Sequence, residues 1–384
     1  MPSIFSSLGL ASAADSISAG QSPSGRELLF LIDGFGADAL ATYATVAPTL
    51  ASLVAHATVQ TSFPSTTATS LATLTTGEMP GTHGMLGYTV QVPRSGGRIL
   101  NTLKWDERVD PVIWQPVPTL FERGMAAGIT TTHVAAKRYE NSGFTRAVFR
   151  GAHYKGANIT SDLLKETIDA LKVSPSFVYL YVNDLDSAGH SDGVGSDKWL
   201  AALTSIDQLV ALLIEQVPRG TRIWVTADHG MINVGEKVVL GQDNELLTDI
   251  AVIAGEPRAR HLYLGQKADS PQALSEVINR WGEFFGEKVT LHSRATAIAS
   301  GLFGAEVSQA AAERAGDVIA IAQDGLVLLD PERADKEGEM VGHHGGDSEI
   351  ESSVPLLVTS KGCSTVRSRI ANPFRLQMRL TKEG

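Results

Sequence analysis

The 384 residues are 43% hydrophobic and 19% charged, an ordinary globular composition long enough for one large domain with an insertion, or for two domains. A formal net charge of -10 argues against a nucleic-acid backbone as partner, since that normally takes a basic patch. Cys363 is the single cysteine, so no intrachain disulfide forms, and no stretch approaches the roughly 20 apolar residues that span a bilayer.

The first segment, residues 1–24, is rich in small residues, has no Lys or Arg before Arg26 and lacks a continuous apolar run. It is expected to be a loose arm without a secretory signal, which places the protein in the cytoplasm. Glu27–Ile32 reads as a buried parallel strand ending in the polar turn Asp33-Gly34. Ala39–Val54 has helical spacing. The stretch Thr61–Gly77 (TSFPSTTATSLATLTTG) predicts a helix from Ser65 behind Pro64, with hydroxyls crowding its N-terminus. Such a helix end suits a phosphate, because free N–H groups and the helix dipole both point at it.

Gly81–Pro118 lacks periodicity and reads as a surface excursion. Thr119–Ala127 and Ser161–Leu171 read as helices, and Ile129–Ala135 and Phe177–Val182 as strands. After a loop through His190, Trp199, Leu203, Ile206, Val210 and Leu213 lie on one helical face, followed by a strand at Ile223–Thr226. This alternation predicts an α/β fold, a mostly parallel central sheet with helices on both faces. From Glu236 to Arg333 the pattern changes to short β pieces (Ile250–Ala254, His261–Leu264, Gly325–Leu329) and helices at Pro271–Phe285 and Ser308–Arg314. We read residues 236–333 as an inserted α+β cap, and residues 25–235 with 334–384 as the catalytic domain, whose last strand is Val354–Val358.

Ligand-type side chains concentrate just past the strands: Asp33; Asp184, Asp186 and His190 in NDLDSAGH; Asp228-His229; and His343-His344. In an open α/β sheet, groups beyond the carboxyl ends of the strands converge on one edge. Three carboxylates converging there repel one another unless cations neutralise them. A mixed Asp/His set suits two divalent ions, Zn²⁺ foremost, with Mn²⁺ as the other choice.

The ordered motifs Asp-Gly, FPSTT, LDSAGH, ADHGM and GHHG resemble the alkaline phosphatase superfamily, and within it the type I phosphodiesterase/nucleotide pyrophosphatase family. The likeness covers roughly residues 27–235 and 340–360; the cap matches only loosely. The resemblance implies Thr67 as a nucleophile that becomes phosphothreonine, with Thr66 as the second choice. It further implies one metal held by Asp33, Asp228 and His229 and touching Thr67, and another held by Asp186, His190 and His344. Where the family has Pro-Asn after the nucleophile, the Asn binding a phosphoryl oxygen, this chain has Thr69-Ser70, so Ser70 is the expected assistant in substrate binding.

The implied activity is hydrolysis of a phosphodiester or pyrophosphate bond in a small substrate such as a nucleotide. A phosphomonoesterase, phosphonate hydrolase or phosphomutase of the same superfamily is the alternative. The absence of Lys and Arg from Ser62–Gly77 favours the less charged diester, although Lys137, just past the second strand, is placed to reach a bound phosphate. Tyr88 and Tyr139 are candidates to stack on a base or sugar.

Overall fold

The structure, a computed structural model, describes residues 1–11, 13, 17, 24–268 and 270–361. Cys363 and the rest of the C-terminal segment assigned to the catalytic domain lie outside the described residues. Seven strands form the central sheet, in the order Val54–Gln60, Ser353–Ser360, Thr221–Thr226, Arg26–Ile32, Ser176–Val182, Thr130–Ala135 and His153–Gly156. The five from Thr221–Thr226 to His153–Gly156 run parallel, whereas Ser353–Ser360 is antiparallel to both its neighbours.

Because strand side chains alternate, each apolar strand feeds two cores. Leu28, Phe30 and Ile32 join Val178, Leu180 and Val225 under the Asp197–Gln216 helix. Leu29 and Leu31 join Phe177 and Tyr179 under the Thr67–Thr76 helix, on the face that carries the site. The strand starts are tied by a buried ion pair between Glu27 and Arg222.

Residues 236–333, read from the sequence as a cap, carry a four-stranded antiparallel sheet in the order Ile250–Glu256, Ala259–Leu264, Val318–Ala322, Val289–Ser293. Its strand VIAIA divides its side chains in the same way: Val318, Ala320 and Ala322 pack with Trp281 and Phe285 of the Pro271–Phe285 helix, and Ile319 and Ile321 join the catalytic-face core. A separate pair, Glu236–Val239 with Leu326–Leu329, is parallel.

Four expectations need correction. Ala39–Val54 is two short helices, Ala37–Thr42 and Pro48–Ser52, and Val54 opens an edge strand. Pro48 disfavours helical backbone at Ala47, which splits the run. Gly81–Pro118 is not a surface excursion: Met85, Leu86, Val90 and Leu100 are fully buried, and its hairpin, Thr89–Gln91 with Ile99–Asn101, is held against the cap by Thr89 Oγ1 donating to Gly255 O. Elements of three or four residues are too short to leave a periodic signal. The segment through His190 is a helix, Asp184–Asp192. In the N-terminal segment, Pro2–Ser7 is helical, and Phe5 is buried with its ring centroid 4.7 Å from that of Phe177.

Candidate active site

The carboxyl ends of three parallel strands deliver the acids. Asp33 follows Ile32, Asp186 lies in the first turn of the helix after Val182, and Asp228 follows Thr226 by two residues. Gly34 turns the chain at φ +73°, and a Cβ there would lie 3.2 Å from both Cα and Cβ of Asp186, so glycine is what lets this turn meet the Asp186 helix. The helical i, i+4 spacing then puts Asp186 and His190 on one face, with His190 Nε2 3.4 Å from Asp186 Oδ1.

Two groups of potential ligand atoms result: Asp33, Asp228 and His229; and Asp186, His229 and His344. The groups share His229, whose ring stacks on His344 with centroids 3.6 Å apart. His190 sits beside the second group, its ring centroid 5.1 Å from that of His344. Of the GHHG pair, His344 faces this cluster, while His343 turns its Nε2 to Glu337 O at 3.1 Å.

The three histidines share one tautomer. Nδ1 of His190, His229 and His344 lies 2.8, 2.9 and 3.0 Å from the carbonyls of Gly342, Gly230 and Ser65. A carbonyl only accepts, so Nδ1 carries a proton in each ring and Nε2 is the nitrogen that faces the carboxylates and is available to a metal. Asp33 Oδ1, Asp186 Oδ1 and Asp228 Oδ2 are buried without a hydrogen-bond partner. Burial, then the Asp228 and Asp186 charges, push the Asp33 carboxyl well above its ordinary range; burial also raises Asp228. Burial, then the neighbouring imidazoles, hold His344 well below its usual value. Orphaned carboxylate oxygens facing imidazole Nε2 atoms are a donor set that fits divalent cations.

Thr67 opens the Thr67–Thr76 helix, and its Oγ1 is 3.2 Å from His229 Nε2. Thr66 is the N-cap residue, and its side chain lies toward the carboxyl of Glu256. Ser65 locks the helix entry to the His344 turn: its Oγ donates to Gly346 O at 2.7 Å and accepts from the Gly345 N–H at 3.2 Å. Ser70 is buried with an unpartnered Oγ, but the residues of this helix that line the adjoining cavity are Thr67 and Leu71. Lys137 is exposed, its backbone N–H donates to Asn158, and it is not among the cavity-lining residues.

The cavity, of about 130 Å³, is lined by Asp33, Thr67 and Asp186 together with Tyr139, Phe144 and Phe149. Several neighbours had no signal in the sequence. Tyr181 donates to Asp33 Oδ2 from inside an apolar strand. His133 lines the cavity wall. Glu256, in the cap, is buried beside Gly345, accepts the Tyr88 N–H at 2.6 Å, and is pushed by burial up to about 7. Tyr88 therefore meets the cap through its backbone.

The family model for type I phosphodiesterase / nucleotide pyrophosphatase matches residues 28–347. The chain belongs to this family. Family members similar to it include human ectonucleotide pyrophosphatase/phosphodiesterase family member 1, 26% identical over 237 residues, which cover 56% of this chain and 25% of that protein. Mouse family member 3 is 28% identical over 236 residues, covering 55% and 26%. The chain thus spans about a quarter of the length of these relatives. Human ectonucleotide pyrophosphatase/phosphodiesterase 5 has the same fold, with a TM-score of 0.67 over 87% of each chain at 18% identity. An inactive threonine-to-alanine form of the murine protein, in complex with AMP, matches at TM-score 0.67 and 15% identity over 86% of this chain and 87% of that one. The family's α/β fold is thus the fold of this member, and no helix among its described residues is long and apolar enough to cross a membrane.

Proposed function

We propose that this family member hydrolyses phosphodiester or pyrophosphate bonds of small substrates, nucleotides among them, with Thr67 as nucleophile and two divalent cations, Zn²⁺ or Mn²⁺. The observation that carries the reading is the hydroxyl of Thr67 lying 3.2 Å from Nε2 of His229, the histidine common to both ligand groups. Asp33, Asp228 and His229 would hold one ion, and Asp186, His190 and His344 the other. Bound there, the cations would supply positive charge that favours ionisation of the Thr67 hydroxyl and offsets charge on the reacting phosphoryl group.

The protein's own groups do the rest. Thr67 Oγ1 forms the bond to phosphorus as the leaving-group oxygen departs, and water later displaces threonine from the phosphothreonine. The helix begins at Thr67, so its first N–H groups stay outside the intrahelical ladder and can donate to phosphoryl oxygens. Ser70, one turn on, would be the assisting hydroxyl; its buried, unpartnered Oγ supports that role, although it does not itself line the cavity. Tyr181 orients Asp33, and backbone carbonyls hold the three imidazoles in the ligating tautomer. Tyr139 and Phe149 supply surface for the organic part of the substrate.

The charge of the cavity favours a diester over a monoester. Its lining contains no Lys or Arg among the described residues, whereas a dianionic monoester calls for extra positive charge. The experiment is turnover of an aryl phosphodiester, the matching monoester, an aryl phosphonate, a dinucleotide and a nucleotide sugar by the Zn²⁺- or Mn²⁺-supplied protein, with Thr67→Ala alongside. We expect diesters to exceed monoesters by at least roughly tenfold, and Thr67→Ala to lose roughly 10³-fold or more with metal still bound. Full turnover by Thr67→Ala would sink the nucleophile assignment; monoesters turned over faster would move the protein to the phosphatase side of the superfamily.

A further inference from the structure

His133 is 3% exposed, yet neither ring nitrogen has a hydrogen-bond partner. Its strand, Thr130–Ala135, lies inside the sheet between Ser176–Val182 and His153–Gly156, and its side chain joins the catalytic-face core. The ring stacks on Phe149 with centroids 4.0 Å apart at 22°, and meets Tyr154 and Tyr179 edge-on at 4.8 and 5.3 Å. In register His133 pairs with Tyr179, two residues short of Tyr181, so it sits about 7 Å down the strand direction from the tyrosine that holds Asp33.

An unpartnered imidazole in an aromatic stack is unfavourable by roughly 1–3 kcal/mol relative to an apolar ring, so packing does not explain the residue. Its position does. His133 lines the same cavity as Asp33, Thr67 and Asp186. A phosphoryl group seated against Thr67 leaves its organic substituent room to extend along the aromatic wall toward this ring.

We propose that His133 is a specificity-determining residue that hydrogen-bonds a polar group on the organic substituent of the substrate, such as a nucleobase edge or a sugar hydroxyl. The assignment rests on the phosphodiester reading above. Burial lowers His133 from its usual 6.5 to about 3, so the ring is neutral at working pH and offers one donor and one acceptor. A nucleobase imide or a hydroxyl meets either nitrogen, whereas an alkyl substituent leaves both unsatisfied. Sites with a buried polar group discriminate strongly against analogues that cannot pair with it.

The test compares two esters with the same leaving group, thymidine 5′-p-nitrophenyl phosphate and methyl p-nitrophenyl phosphate, on the metal-supplied full chain. For His133→Phe we expect the thymidine-to-methyl ratio of kcat/KM to fall roughly tenfold, mainly through KM. Inhibition by thymidine 5′-monophosphate should weaken by the same factor relative to inorganic phosphate. His133→Gln, which keeps a donor and an acceptor, should retain part of the ratio, and His133→Leu serves if the Phe variant does not fold. The same substitution removes an unpartnered polar group, so His133→Phe should unfold at a higher denaturant concentration; a structural histidine would lower it. An unchanged ratio in the apolar variants overturns the assignment. Wild-type protein that cleaves neither ester overturns the hydrolase reading itself and His133 with it.

Discussion

The buried acids of this protein fall into two populations. At the boundary between sheet and cap, Glu351 is fully buried but satisfied: Arg258 donates to it from Nε at 3.1 Å and from Nη2 at 2.9 Å, and the Gly346 N–H adds a third bond at 2.8 Å. Glu27 is likewise paired with Arg222 inside the main sheet. At the strand ends, Asp33 and Asp228 are as deeply buried, yet among the described residues their ion-pair partner is His229 rather than a Lys or Arg, and each keeps an orphaned oxygen. A buried carboxylate needs a counter-charge in either setting. Where the chain supplies its own, the acid is a structural latch. Where it does not, the acids form a candidate site for a cation that comes from solution.

The contrast makes opposite predictions for the two populations. The largest effect is expected for Asp33→Asn. Turnover should fall roughly 10³-fold or more with loss of bound metal, while the metal-free protein becomes more stable, because one of several mutually repelling carboxyls is gone. Metal analysis and urea melts of the stripped protein check both halves; a destabilised metal-free variant would put Asp33 in the structural population.

Arg258→Ala should do the reverse. An unpaired buried Glu351 is expected to lower stability by about 3–5 kcal/mol, with Arg258→Met milder, and Glu351 also holds the turn that carries His344. Denaturant unfolding measures it, and a loss below about 1 kcal/mol would mean that the latch is solvated.

The smallest effect concerns pH. His133 takes up its proton near 6.5 when unfolded but only near 3 in the fold. A histidine with a depressed folded value contributes stability that is full above pH 6.5 and is lost as pH falls toward 3, since the unfolded chain then binds the extra proton. His83, His261 and His343 are shifted the same way by burial, to about 3, 4 and 4. The stability advantage of His133→Phe over wild type should therefore widen between pH 7 and pH 4, with a slope of about one proton. Urea midpoints across that range test it; a constant difference would show that the folded ring protonates normally.

Much of the site was legible because its residues follow strands that announce themselves. LLFLI, FVYLYV and IWVT are continuous apolar runs, as parallel strands buried on both faces must be, and the acids just past them converge by topology alone. The helix at His190 was missed because NDLDSAGH is polar and has no apolar stripe, although that helix is what aligns Asp186 with His190. Lys137 looked close in sequence to the sheet edge, but its short turn carries it outward.

By itself the sequence determined the buried strands of the main sheet, near Glu27–Ile32, Ile129–Ala135, Phe177–Val182, Ile223–Thr226 and Val354–Val358, and which ligand-type side chains stand just past them, since these follow from local apolar runs and the residues that stop them. The edge strands Val54–Gln60 and His153–Gly156 carry no such run. Only the tertiary structure decided that Thr67 rather than Thr66 faces the shared histidine, and that Tyr181 holds Asp33. The same is true of Glu256, which reaches the His344 turn from the cap, and of His133, which lines the cavity. Those contacts join segments tens to hundreds of residues apart, and a single polar residue inside a strand or helix carries no mark of the face it will meet.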